Sequence, residues 1–134
     1  MVYTPYANAD SVAELAVSLM LALSKQLRLA DQASRAGDFQ FKYRATIQEL
    51  AGKTLGVIGF GRIGRKVATL LKESFRMRVL TYAPSKSEEA IQAVGVSKVS
   101  SLAELLSEAD VVSIHLPLST STRHLIGAKE LALM

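Results

Sequence analysis

The chain has 134 residues, of which 49% are hydrophobic, so it is long enough to bury the core of one domain and too short for two. It has no cysteine and only two histidines, which excludes disulfides and thiolate sites and predicts no metal site. The net charge of +4 comes with few aromatic residues, and these are not interleaved with the basic ones, so we expect no nucleic-acid partner.

The N-terminal quarter is predicted to be mostly one long helix. Residues 1–8 are typical of an extended segment, and Ser11 and Glu14 then have the spacing of a capping box. We therefore expect a helix from Ser11 to about Ala36, ended by Gly37. Its apolar residues cover most of the circumference, which predicts burial on more than one side, against the sheet and against another subunit; they are Val12, Leu15, Ala16, Leu19, Met20, Leu23 and Leu27.

No membrane segment and no signal peptide are predicted. The longest apolar candidate, Val12 to Leu23, contains Glu14 and is too short to span a bilayer. The N-terminus lacks a basic region followed by an apolar one. Because the absence of cysteine is compatible with a reducing compartment, we expect a cytoplasmic protein.

Residues 54–64 carry the most specific pattern of the chain. A short apolar run, predicted as a strand over 53–58, ends in glycines spaced G-x-G-x-x-G, and a helix to about Ser74 follows. Strand, tight turn and helix form the context that a dinucleotide fingerprint requires. Gly59 would allow a sharp turn, Gly61 the close approach of a pyrophosphate, and Gly64 close packing of helix on strand. The first helical turn would then offer N–H groups and its positive dipole end to the phosphates.

Two other features of this region have competing interpretations. Basic residues are frequent from Arg62 to Arg78, either as a solvated helix face or as a field that attracts an anionic ligand. Residues 52–54 resemble the end of a P-loop, but Ile47 stands where that motif needs glycine, and the triplet precedes a strand where it should follow one.

The rest of the chain alternates strands and short helices. After a connector over 38–52 and the fingerprint, strands are predicted over 77–82, 96–99 and 110–115, the last one buried because it is mostly apolar. Helices are predicted over 87–93, from the Ser101–Glu104 capping box, and from about Gly127, with a loop over 116–126 before the last one. This alternation predicts an α/β fold, a doubly wound parallel sheet in the order 3-2-1-4 with flanking helices.

The doubly wound order also predicts where a ligand would bind. Ligands bind at the carboxyl ends of the strands, where the strand order reverses. Three loops should therefore converge on one crevice, and they comprise residues 59–63, 82–86 and 115–117.

Four stretches together resemble the nucleotide-binding part of the D-isomer-specific 2-hydroxyacid dehydrogenases. They are residues 8–14, 52–64, 110–118 and 122–126, in family order and spacing, and they span nearly the whole chain. The resemblance implies a Rossmann-like domain, incomplete at its C-terminus, that binds NAD or NADP. It also implies a parent enzyme that passes hydride between the nicotinamide and a D-2-hydroxy acid or 2-keto acid, and a homodimer formed through the helix from Ser11.

The same resemblance implies roles for individual positions. Arg62 and Ile63 would lie over the pyrophosphate with the three glycines, Leu116 and Pro117 would flank the adenine, and Thr4 would lie near the nicotinamide. His115 would be a wall of the pocket. The family's catalytic arginine, acid and histidine would lie beyond the position of Met134, and its substrate-binding domain outside the chain, which would make this chain a fragment; no residue here receives a catalytic role.

The sequence departs from the family at the end of the second strand. NAD-using members have Tyr-Asp-Pro where this chain has Tyr82-Ala83-Pro84. An acidic residue there would bind the ribose hydroxyls and repel a 2′-phosphate, and Ala83 does neither. Ser85 and Lys86 follow and could hold that phosphate, so one hypothesis is that NADP is accepted or preferred; the other is that Lys86 is a solvated lysine and NAD binds with a weaker ribose contact.

Two further functions are compatible with a dinucleotide fingerprint. A non-catalytic, NAD(H)-sensing or corepressor-like module would use the same fold, and fold alone does not separate the two. A short-chain reductase would need a Tyr-x-x-x-Lys pair; Tyr82 and Lys86 have this spacing, but the four stretches named above resemble the 2-hydroxyacid dehydrogenases instead.

Overall fold

The computed structural model of the protein describes residues 8–134. In this part of the chain, helices and strands alternate after an N-terminal helical region. The elements are α1 (Ala9–Ser24), α2 (Leu27–Arg35), α3 (Phe41–Arg44), β1 (Thr54–Ile58), α4 (Arg62–Phe75), β2 (Arg78–Tyr82), α5 (Glu88–Gln92), β3 (Ser97–Lys98), α6 (Leu102–Glu108), β4 (Val111–Ile114) and α7 (Ala128–Leu131).

The strands form one parallel sheet in the order β3-β2-β1-β4, which confirms the predicted doubly wound topology. One hydrophobic cluster joins β1 and β2 to α1, α4 and α5, and includes Leu55, Val67 and Leu71. A second cluster on the other face joins the sheet to α6 through Ile58, Leu105 and neighbours. Helices α4 and α5 thus pack on one face of the sheet and α6 on the other. The strand order reverses between β1 and β4, so the carboxyl ends of these two neighbouring strands lie side by side at that point.

The predicted single helix over 11–36 is wrong, because the chain breaks between α1 and α2. Gln26 has φ 50° and ψ 38°, a left-handed conformation that ends α1. Residues of the connector stabilise the break: the Gln48 N–H donates to the Ser24 carbonyl at 2.9 Å, and the Gln26 side chain donates to the Thr46 carbonyl at 2.9 Å. A helix that continued through Gln26 would lose these tertiary hydrogen bonds, and no local pattern in the sequence encodes them.

The two predicted capping boxes have different outcomes. Helix α1 begins at Ala9, before Ser11, with no side-chain cap, so the first box is wrong. At α6 the Ser101 hydroxyl accepts from the Glu104 N–H at 3.1 Å, as predicted. The Glu104 carboxylate, however, accepts from the N–H and hydroxyl of Ser100, one residue earlier than a capping box requires.

One burial prediction is wrong, and another is tested only in part. Strand β4 lies at an edge of the sheet formed by the described residues, and no residue of it is fully buried; Ile114 is 53% exposed. Helix α1 buries Ala9, Ala13 and Met20 within the chain, while Leu19 and Leu23 are 56% and 79% exposed, so burial of its other side against a second subunit stays a prediction. The apolar composition of both elements is the same whether or not a neighbour covers them, so composition alone did not reveal the exposure.

Candidate functional site

The turn after β1 joins the ends of the neighbouring strands. Gly59 has φ 91°, a conformation that favours glycine, and its N–H donates to the Tyr82 carbonyl at the end of β2 at 3.0 Å. The His115 N–H at the end of β4 donates to the Ile58 carbonyl at 2.8 Å. A Cβ on Gly59 would lie 2.7 Å from the His115 carbonyl oxygen. Thus the structure brings the three predicted loops together at one edge of the sheet.

The N-terminus of α4 lies open at this edge. Gly61 is the N-cap residue; no side chain caps the helix there, and its first turn carries no acidic residue. A Cβ on Gly61 would meet no atom of residues 8–134 within 4 Å. The unopposed positive end of a 14-residue helix therefore faces space that an anion could enter.

Gly64 brings α4 against β1, as predicted. It is buried, and a Cβ at this position would overlap the Gly59 carbonyl oxygen and lie 3.2 Å from Val57 Cγ1. The helix N-terminus is thus held directly beside the turn that leaves the strand.

Arg62 and Ile63 open α4 and have different surroundings. Ile63 is partly buried and packs against the core, whereas Arg62 is exposed and lines a groove of about 610 Å³ between α1 and α4. Lys66 lines the same groove and forms an ion pair with Asp10 of α1.

Two of the basic residues that follow, Lys72 and Arg78, have partners close to them. The Lys72 ammonium donates to the Val94 carbonyl at 2.9 Å, and Arg78 pairs with Glu108. At these two positions local pairing agrees better with a solvated helix face than with a common anion-attracting field, the two interpretations that the sequence left open.

The turn after β2 is compact and carries no carboxylate. Ala83 is buried, with 4% exposure, and the Lys86 N–H donates to the Ala83 carbonyl at 3.1 Å. Ser85 and Lys86 are exposed. The Lys98 ammonium, from β3, donates to the Lys86 carbonyl at 2.6 Å and so ties the turn to the neighbouring strand.

The turn after β4 contributes the third side of the edge. Burial lowers the pKa of His115, and the Ser113 hydroxyl lies 2.8 Å from His115 Nε2. The neutral imidazole that this favours fits a pocket wall better than a charged contact. Leu116 is partly buried and Pro117 is exposed. A cavity of about 330 Å³ adjoins them, lined by Ile114, Leu116, Pro117, Leu118, Thr122, His124, Leu125 and Ile126.

Two residues near this edge received no role from the sequence. Thr122 donates its hydroxyl to the Pro117 carbonyl at 2.7 Å and accepts from the Ser119 N–H at 2.8 Å, which folds the loop after β4. Lys98 lies 12 residues along the chain from Lys86, whose carbonyl it contacts. Its place beside the turn follows from the pairing of β3 with β2, which the local sequence around Lys98 does not indicate. Thr4, the position predicted to lie near the nicotinamide, falls outside the described residues.

Residues 8–134 contain no group of three metal-ligating side chains close enough to hold an ion. Within the same range, every helix is too short or too polar to cross a membrane.

Comparison with known proteins places this geometry among the dehydrogenases. Residues 17–134 match the model of the D-isomer specific 2-hydroxyacid dehydrogenase NAD binding domain. The chain is 41% identical over 134 residues to a D-3-phosphoglycerate dehydrogenase of Methanocaldococcus jannaschii, covering all of this chain and 25% of that protein. It is 41% identical over 131 residues to a hydroxypyruvate reductase of Thermotoga maritima, covering 98% of this chain and 41% of the other.

A solved structure shares the fold closely. The apo structure of D-lactate dehydrogenase from Escherichia coli superposes with a TM-score of 0.86 at 35% identity, over 98% of this chain and 40% of that one. The chain therefore spans between about a quarter and two fifths of the length of these proteins.

Proposed function

Because the chain belongs to the D-isomer-specific 2-hydroxyacid dehydrogenase family, as its NAD-binding domain, we propose that it serves hydride transfer between a nicotinamide coenzyme and a D-2-hydroxy acid or 2-keto acid. The observation that carries this proposal is the open N-terminus of α4 beside Gly59, at the edge where the ends of β2 and β4 meet. The corepressor-like alternative is not favoured, since the named relatives are dehydrogenases and reductases.

The diphosphate of the coenzyme would bind at the first turn of α4. Gly61 leaves the backbone amides accessible, Gly59 and Gly64 hold the turn in place, and Arg62 and Ile63 start the helix. Backbone N–H groups and the helix dipole are the standard partners of a diphosphate in such turns.

The adenosine half would lie between the loops after β2 and β4. Ala83, Ser85 and Lys86 would border the ribose, and Leu116 and Pro117 would pack on the adenine. His115, kept neutral by its surroundings, would form part of the wall. Thr4 remains a proposed contact of the nicotinamide end. The bound nicotinamide would supply the redox chemistry, and the role of this chain would be to bind and orient it.

The substrate and the proton-transferring groups are proposed to belong to another part of a longer protein. The relatives are about two and a half to four times longer than the matched region, from the shares of 41% and 25%. On this proposal residues 1–134 form one nucleotide-binding domain without a complete catalytic site, and its location is the cytoplasm.

A homodimer formed through α1 and α2 is proposed as well. Leu15, Leu19 and Leu23 of α1 are 58%, 56% and 79% exposed, and Leu27 of α2 is 53% exposed. Three of these leucines recur every four residues on α1 and so form a stripe along one side of the helix. Monomeric proteins seldom expose a contiguous apolar stripe of this kind, and a second copy of the chain would cover it.

Calorimetric titration of the chain with NADH and NADPH tests the cofactor proposal directly. We expect saturable binding of at least one coenzyme with a stoichiometry of one per chain. Absence of binding by protein that circular dichroism shows to be folded would refute the proposal.

A further inference from the structure

We propose that the turn over residues 83–86 selects NADP over NAD, and that Lys98 is the positioning residue that holds this turn in its selective shape. The inference rests on the proposed dinucleotide function and concerns the same site. It deepens that function by naming the class of coenzyme, a 2′-phosphorylated one.

The first step concerns the residue that ends β2. In dinucleotide-binding folds, an acidic side chain about 20 residues beyond the glycine turn accepts hydrogen bonds from the ribose hydroxyls and repels a 2′-phosphate. Ala83 occupies this place and is buried against the core, so it offers neither an acceptor nor a negative charge. The Gly59 N–H bond to the Tyr82 carbonyl holds this strand end directly beside the glycine turn.

The second step concerns charge along the carboxyl edge of the sheet. The segments that follow the four strands are residues 59–61, 83–87, 99–101 and 115–119, and none of them contains Asp or Glu. A phosphate of charge near −2 at this edge would therefore meet no carboxylate from the loops themselves. Lys86, exposed in the second of these segments, provides a cation.

The third step is the contact of Lys98 with the turn. Its ammonium donates to the Lys86 carbonyl at 2.6 Å, while the Lys86 N–H donates to the Ala83 carbonyl at 3.1 Å. One hydrogen bond thus closes the turn between Ala83 and Lys86, and the other ties it to β3. The Lys98 ammonium adds a second positive charge to that of Lys86. Ser85, in the middle of the turn and exposed, adds a hydroxyl donor.

Glu89, on α5, interacts electrostatically with Lys98. The pKa of Glu89 is lowered, first by its own backbone N–H, then by the Ser87 hydroxyl and more weakly by Lys98. Glu88 accepts from the Gln92 side chain at 2.8 Å. Both carboxylates keep their charge, since these donors are neutral, but they lie on α5, whereas the Lys98 ammonium contacts the turn itself.

The experiment is titration calorimetry of the whole chain with NADPH and with NADH, on the wild type and on single-residue variants. We expect NADPH to bind about tenfold more tightly than NADH, the affinity equivalent of one hydrogen bond to a charged group. K86M and K98M should each lower the affinity for NADPH by several-fold more than the affinity for NADH, and so remove most of this difference. A83D should reverse the preference.

The matched control is K72M. Lys72 likewise donates its ammonium to a backbone carbonyl, that of Val94 at 2.9 Å, but it lies on α4 away from the turn. We expect K72M to keep the wild-type ratio of the two affinities. Thermal unfolding of each variant identifies any that fail to fold, and the two lysine variants decide the result if A83D does not fold.

Three outcomes would overturn the inference, each in a distinguishable way. Equal affinities, or tighter binding of NADH, would refute the selection of NADP and leave the dinucleotide function intact. An unchanged affinity ratio in K98M would refute the role of Lys98 alone. Binding of neither coenzyme by folded protein would refute the proposed function itself.

Discussion

Gly64 lies so close to Gly59 that a Cβ on Gly64 would overlap the Gly59 carbonyl oxygen. Because Gly64 has no side chain, the first turn of α4 lies directly against the end of β1 at this position. The open helix N-terminus owes its position at the sheet edge to this close packing.

Gly64→Ala is therefore expected to destabilise the protein by about 2 kcal/mol, because overpacking of a rigid backbone contact outweighs the better helix propensity of alanine. Urea unfolding measures the effect. Ser74→Ala, at an exposed position of the same helix, should change the free energy of unfolding by less than about 0.5 kcal/mol. A G64A variant as stable as the wild type would show that the helix is not held by this contact.

Gly61→Val should separate binding from folding. A Cβ at Gly61 meets no atom of the described part of the chain within 4 Å, so the variant should fold, while its side chain would occupy the space proposed for the diphosphate. We expect at least about a tenfold loss of coenzyme affinity in calorimetry, the size of one lost charge-assisted hydrogen bond. Gly127→Val is the control, since Gly127 is also an N-cap in extended conformation but begins α7, and its affinity should be that of the wild type. Full binding by G61V would contradict the proposed diphosphate site.

Asp110 should make stability depend on pH. Its carboxylate accepts from the Thr54 N–H at 2.8 Å and from Lys53 at 3.2 Å, and these two contacts, in that order, lower its pKa. A folded pKa below the unfolded value of about 3.9 means that the stabilisation is fully present above pH 4 and is lost as the pH falls through the folded pKa.

The comparison of Asp110→Ala with the wild type isolates this effect from other carboxylates. We expect the variant to be less stable by roughly 1 kcal/mol at pH 7, because it lacks one charge-assisted hydrogen bond in a partly exposed position. The difference between the two proteins should shrink as the pH is lowered below 4 in denaturant titrations. A difference that stays constant down to pH 2 would mean that the charge of Asp110 is irrelevant.

Arg76 offers a stabilising change. It ends α4 in the left-handed region, with φ 54° and ψ 34°, a conformation in which glycine carries no penalty from a Cβ. Arg76→Gly should raise the free energy of unfolding by roughly 0.5 kcal/mol, whereas Arg65→Gly, inside the same helix, should lower it by about 1 kcal/mol. Thermal or urea unfolding measures both changes in the free energy of unfolding. A destabilised R76G would show that the arginine side chain stabilises the fold by more than its left-handed backbone conformation destabilises it.

Leu19→Glu should abolish the proposed dimer. The side chain lies in the exposed stripe of α1, and a carboxylate there would be buried without a partner in any interface that the stripe forms. We expect a dimer for the wild type and a monomer for the variant in analytical ultracentrifugation. Leu131→Glu, an equally exposed leucine on α7, should remain dimeric. A monomeric wild type at concentrations of tens of micromolar would count against the dimer.

Local patterns in the sequence were enough to predict the sheet and its glycine turn. Apolar runs of strand length and G-x-G-x-x-G spacing are set by residues a few positions apart, and the order 3-2-1-4 is that of the dinucleotide-binding fold which the glycine spacing indicates. The convergence of residues 59–63, 82–86 and 115–117 follows in turn from that order.

Only the tertiary structure decided the features that depend on distant partners. The left-handed Gln26 is stabilised by the connector 20 residues on, Lys98 reaches the turn after β2 through strand pairing, and Lys66 meets Asp10 across two helices. The exposure of β4 and of the α1 leucines likewise depends on which neighbours cover them. Hydrogen bonds and burial of this kind join residues far apart in sequence, and their energies have no signature in the local pattern of either partner.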